Sequence, residues 1–194
     1  MAYQKKNPTA EEHKAHMDNM HKKAAAAHKK QTIEKIKAFL KGSEEYFDTQ
    51  DRLEQAYSEA GLANAMRWTV QRLQGYYDYN DGREAEVVEA QVEAFEAGNE
   101  EIDDPRCVMS YYVRLAYQRI QEQIAEFVTA NSRISKKDFE KFMMATGEMA
   151  TDVGTILYGK EAVASGLIDR LGGLNDALSC LHRMIEKRKA EKKA

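Results

Sequence analysis

Cysteine, proline and long apolar runs are all scarce in this chain, and each scarcity excludes something. Cys107 and Cys180 have neither metal-ligand spacing nor thiol neighbours in sequence. That argues against a structural disulfide or a zinc site and for a reduced, cytoplasmic setting. Pro8 and Pro105 are the two prolines in 194 residues, so little in the chain interrupts long helices. No apolar run approaches the roughly 18 residues that a membrane-spanning helix requires. The opening MAYQKKNPTAEEHK has lysines but no apolar segment behind them, so it does not read as a secretory leader. A phosphate-cradling loop is also missing, since Gly172-Gly173 precedes a helix without the rest of any nucleotide signature. There is no internal repeat. No cofactor is expected.

What remains is a helix-forming composition, 43% apolar and 31% charged, with a mean hydropathy of -0.69 that suits a soluble protein. The net charge of -3 conceals three blocks. Residues 1–41 are basic, with Lys14, Lys22, Lys23, Lys29 and Lys30 among ten lysines that outnumber the acids. From Glu44 to Asp104 carboxylates dominate, and the tail EKRKAEKKA turns basic again. Such blocks are either solvated helix surface or salt-sensitive contacts with another subunit or a nucleic acid.

Hydrophobic spacing predicts one helix after another. Residues 9–30, with Ala24–Ala27, favour helix by propensity but have almost no apolar stripe, so they form a mobile or partner-dependent arm. Ile33, Ile36, Phe39 and Leu40 share one face of a helix that Gly42 is expected to end. Ser43 then caps a helix carrying Phe47, Leu53, Ala56 and Tyr57, with Gly61 as a left-handed terminator. LANAMRWTVQRLQ is expected as one further helix, GYYDYNDG as a loop, and Val87, Val88, Val92 and Phe95 as a stripe ending at Gly98. Pro105 suits the first turn of a long helix reaching about Thr129, with Asp103 and Asp104 before it. Ser135 with Asp138 makes a capping box for a helix carrying Phe139, Phe142 and Met143. Strand character is confined to Thr155–Tyr158 and Leu167–Ile168. Gly173 or Asn175 opens a last helix with Leu178, Leu181, Met184 and Ile185 inward. The fold class is therefore mainly α with at most one or two short strands. Its organisation is a basic arm (1–30), an acidic helical region (31–104), a third region (105–188) and a basic tail (189–194).

The third region carries a motif series. From about Cys107 to Lys187, a long helix is followed by Thr146-Gly147-Glu148, Asp152-Val153-Gly154-Thr155, the block GKEAVASGLID and GGLNDAL. In that order these resemble the C-terminal part of Clp protease proteolytic subunits, most of all the translocation-enhancing branch of that family. The resemblance implies a serine peptidase ancestry, a helical tail and a handle helix through which subunits associate. The family's nucleophile would sit on a Gly-x-Ser elbow, and these 194 residues contain none. His13, His16, His21, His28 and His182 all lie away from the family's histidine position ahead of the long helix. A serine hydroxyl without a neighbouring base is a poor nucleophile, so the usual chemistry is not expected. Glu148 and Asp152 are the candidates for the family's acid. If the handle is retained, Tyr112, Leu115, Ile124, Phe127, Phe139, Phe142 and Met143 form the association surface, because they exceed what one helix face can hide. The alternative is that the N-terminal helices of the same chain cover them.

Weaker constellations complete the reading. His13, His16, Met17, Met20 and His21 have helix-neighbour spacings that could hold a soft metal, but no second shell accompanies them, so no metal site is assigned. Trp68 with Arg67, Arg72, Tyr76, Tyr77 and Tyr79 fits either helix packing or a nucleic-acid surface. Cys180 and His182 point different ways along a helix and do not form a nucleophile and base. Three functions follow. The chain is a non-catalytic association module that pairs with itself or a Clp-like partner, a peptidase subunit with a rearranged or partner-completed site, or a nucleic-acid or scaffold protein using its basic ends.

Overall fold

The computed structural model describes residues 9–80, 82–99, 102–144 and 156–192, and these form eight helices and no strand. The mainly α expectation holds. The segments Ile156–Tyr158 and Leu167–Ile168 are irregular, and Thr155 lies outside the described residues. The chain divides into two compact units, 1–120 and 121–194, and each is described by itself.

The first unit begins with α1 (Ala10–Arg52), 43 residues opened by a reciprocal cap in which Thr9 Oγ1 accepts from the Glu12 amide and Glu12 accepts from the Thr9 amide. Its two halves differ. Residues 10–28 are exposed throughout, whereas Ile33, Ile36, Phe39, Tyr46 and Phe47 are buried. Gly42 does not end this helix, contrary to the sequence expectation. It stands where Met66 packs, and a Cβ there would run into Met66 Cε. The burial of Phe39 on one side and Tyr46 and Phe47 on the other outweighs the roughly 1 kcal/mol helix penalty of a glycine. Ser43 is accordingly an interior residue whose hydroxyl donates to the Leu40 carbonyl.

Helix α1 stops eight residues earlier than expected, at Arg52, and Glu54 follows with φ of 52°. Gly61 lies inside α2 (Glu59–Ala65) rather than ending a helix. The Tyr46 hydroxyl explains both. It accepts from the Ser58 amide at 2.9 Å and donates to the Ser58 carbonyl, fixing the start of α2. A Cβ at Gly61 would meet that hydroxyl at 2.6 Å. The segment 62–74 is likewise divided between two helices, broken at Arg67 (φ 55°) and restarted by Thr69, whose hydroxyl accepts from the Arg72 amide to open α3 (Val70–Tyr77). Local capping overrode a continuous apolar stripe. Helix α4 (Ala85–Glu96) ends before Gly98, where the stripe was expected to stop, and Gly98 adopts φ of 76°. Helix α5 (Pro105–Asn131) starts at the predicted proline, and Val108, Met109 and Val113 on it are fully buried with Leu62, Leu73 and Ile102.

The second unit is lightly packed. Ala125, Ile134 and Ala162 are its buried apolar side chains among the described residues. Ser135 opens α6 (Lys136–Met143) as predicted, its hydroxyl accepting from the Asp138 amide at 3.1 Å. Helix α7 (Gly159–Ala164) ends in a left-handed cap at Gly166 (φ 82°), where the Leu167 amide bonds to the Ala162 carbonyl and the Gly166 amide to the Val163 carbonyl. The Gly166 carbonyl accepts from the Arg133 amide at 2.9 Å, and a Cβ at Gly166 would meet the Arg133 backbone at 3.0 Å. This explains the glycine of the GLID block. Helix α8 (Leu174–Glu191) opens at Gly173, whose amide donates to Asp176. Leu178, Leu181, Met184 and Ile185 were expected inward and are instead exposed. Among the described residues of this unit, Ala125, Ile134 and Ala162 are too few to form an apolar layer against them.

Candidate functional site

Helix α8 is where sequence and surface diverge most. None of its 18 residues is buried, and Leu174 and Met184 are 77% and 63% exposed. Fully burying such side chains would stabilise each by about 1.5–3 kcal/mol. Between Leu174 and Ile185 the permanent charges are Asp176 and Arg183, seven residues apart on one row, with the leucines on the opposite row. A groove of about 340 Å³ runs along this helix, lined by Leu171, Ala177, Cys180, Leu181 and Met184.

The residues proposed from sequence as an association surface separate into three groups. Tyr112 is in the first unit's core, its ring edge-on to Phe95 at 6.0 Å and its hydroxyl donating to Glu96 at 2.9 Å. Burial, then the Glu96 acceptor, pushes this phenol well above its ordinary value. Leu115, Ile124 and Phe127 are exposed, Phe127 by 70%. Phe139, Phe142 and Met143 are half-buried on α6. Glu148 and Asp152 lie outside the described residues. Exposed Leu174 escaped the sequence reading, although its spacing of four from Leu178 and seven from Leu181 places it on the same stripe.

A polar cluster caps α5. The Asp104 carboxylate accepts from the Arg106 amide at 3.0 Å, from the Arg106 guanidinium at 2.9 Å and from the Tyr79 hydroxyl at 2.6 Å. Burial alone would raise its pKa, but the Arg106 and Tyr79 hydrogen bonds outweigh this and hold the carboxyl at about 2. Beside it lies a cavity of about 320 Å³ lined by Tyr79, Arg83, Val88, Cys107, Ser110 and Arg114. Its groups serve the fold. Arg114 donates to the Tyr77 and Tyr79 carbonyls, Ser110 to the Tyr79 carbonyl, and the buried Cys107 thiol to the Asp104 carbonyl. No histidine lines it; Glu89 is the carboxylate among its lining residues.

The remaining sequence candidates resolve similarly. Trp68 stacks on Phe39 at 5.6 Å and carries the Arg72 guanidinium at 4.4 Å, so this aromatic group is packing. Tyr77 packs on Tyr117 at 4.7 Å. His13, His16 and His21 lie exposed along α1, and among the described residues no three metal-ligating side chains converge. No helix among them is long and apolar enough to cross a membrane.

Comparison with known proteins adds one relationship. Over 69 residues, 36% of this chain, the sequence is 41% identical to the translocation-enhancing protein TepA of Halalkalibacterium halodurans. The chain spans 27% of that relative's length. No family model matches, and no solved structure does. The chain is therefore similar to a translocation-enhancing protein over part of its length.

Proposed function

We propose that this protein is a non-catalytic association module, built on a Clp-like tail and pairing with itself or with a complete Clp-like relative. The observation that carries this reading is α8, an 18-residue helix with no buried residue that displays a stripe of Leu174, Leu178, Leu181 and Ile185. The 69-residue likeness to a translocation-enhancing protein supports a partly shared origin, and the motif series after α5 supports the tail's Clp-like character. The absence of any Gly-x-Ser in these residues supports the non-catalytic part. Treating the purified chain with a serine-reactive fluorophosphonate should leave its mass unchanged. A labelled serine would return the chain to the peptidases, with a rearranged or partner-completed site.

A second reading rests on the N-terminal half of α1. Lys14, Lys22, Lys23 and Lys30 stand on an exposed helix with His13, His16, His21 and His28, as an anion-binding arm would present them. Binding of a nucleic acid that falls steeply between 50 and 200 mM salt, and is lost when residues 1–30 are removed, would support this reading.

A further inference from the structure

We infer that α8 pairs antiparallel with α8 of a second copy, a specific interface that rests on the association reading above. Three features lead to an identical partner. Leu174, Leu178, Leu181 and Ile185 are spaced four, three and four residues apart, alternating like the a and d positions of a coiled coil. That spacing reads the same in both directions, so an inverted copy places Leu174 against Ile185 and Leu178 against Leu181 in every layer. This is the self-complementarity a two-fold interface demands.

The flanks agree. Ala177 and Met184 border the seam on one side and Asn175 and His182 on the other, so no permanent charge is desolvated between Leu174 and Ile185. Asp176 and Arg183 occupy the row opposite the leucines and stay in water.

The charges beyond Ile185 set the direction. Lys187, Arg188, Lys189 and Lys192 outnumber Glu186 and Glu191, and all of them except Lys192 lie within α8. Parallel pairing would hold two such basic ends side by side, whereas antiparallel pairing sends them to opposite ends of the seam and also opposes the helix dipoles. The seam closes after two copies, because the charged turns at its end cannot continue it.

Disulfide trapping on the full chain tests both partner and direction. In a Cys180→Ser background, with buried Cys107 left in place, Leu174→Cys and Ile185→Cys variants should give a covalent dimer when mixed under mild oxidation, and neither should do so alone. Trapping of Leu174→Cys with itself would establish parallel pairing and overturn the inference. No trapping in any mixture would overturn it as well. Leu181 is half-exposed, so Leu181→Arg should leave folding intact while weakening self-association roughly tenfold or more. A dimer indifferent to Leu181→Arg would refute this interface yet leave association standing. A chain that is monomeric at every concentration and ignores a complete Clp-like protein would remove the broader reading too.

Discussion

The two units spend their apolar residues differently. In the first, Phe39, Leu62, Leu73, Met109 and Val113 reach complete burial, and polar groups such as Tyr46 and Asp104 fix the helix ends around them. In the second, the buried side chains are Ala125, Ile134 and Ala162, while Phe127, Leu174 and Met184 face outward. The same residue types thus do opposite work. Apolar side chains hold the first unit together, whereas several of those in the second remain in contact with water.

Core truncation should separate the units most sharply. Phe39→Ala removes a buried ring stacked on Trp68 and should cost about 3–5 kcal/mol, read by denaturant unfolding. Leu181→Ala should change the stability of the isolated chain by less than about 0.5 kcal/mol. Equal costs would mean that α8 is covered within the chain.

Backbone demands come next. Gly166→Ala forces a side chain into φ of 82° against the Arg133 backbone and should cost about 1–3 kcal/mol. Gly61→Ala meets the Tyr46 hydroxyl and should cost a similar amount, about 1–3 kcal/mol, by overpacking. Thermal melts with one probe in each unit would show whether each loss stays in its own unit. A loss common to both would make the molecule a single cooperative body.

A smaller effect distinguishes the units by pH. Asp104 has its folded-state pKa lowered from 3.8 to about 2, so its contribution is fully present above pH 3.8 and is lost as pH falls toward 2. Asp104→Asn should remove that acid dependence from the first unit and cost about 1 kcal/mol at neutral pH, since asparagine still caps α5. Smaller still, Ser135→Ala should cost the second unit about 1 kcal/mol or less through its cap on α6.

Helices with their own start signals were legible in the sequence. Pro105 with Asp104, Ser135 with Asp138, and Gly98 each mark a boundary chemically, and the structure places α5, α6 and the end of α4 there. Boundaries fixed by tertiary contact were not. Nothing near Gly42 shows that Met66 will fill its place, and nothing near Gly61 shows that Tyr46 will approach it. The stripe on α8 was legible as a stripe, but its direction was not, because spacing defines a face without saying what lies opposite. Tyr112 and Phe127 make the same point on one helix, the first enclosed by Phe95 and Glu96 and the second exposed.

The most direct test of the association account is the absolute mass of the full chain by sedimentation equilibrium, from nanomolar to tens of micromolar. The account predicts a reversible rise from the 22.1 kDa monomer to a dimer, lost in the Leu181→Arg variant. A mass fixed at 22.1 kDa over the whole range, with no shift when a complete Clp-like protein is added, would contradict it.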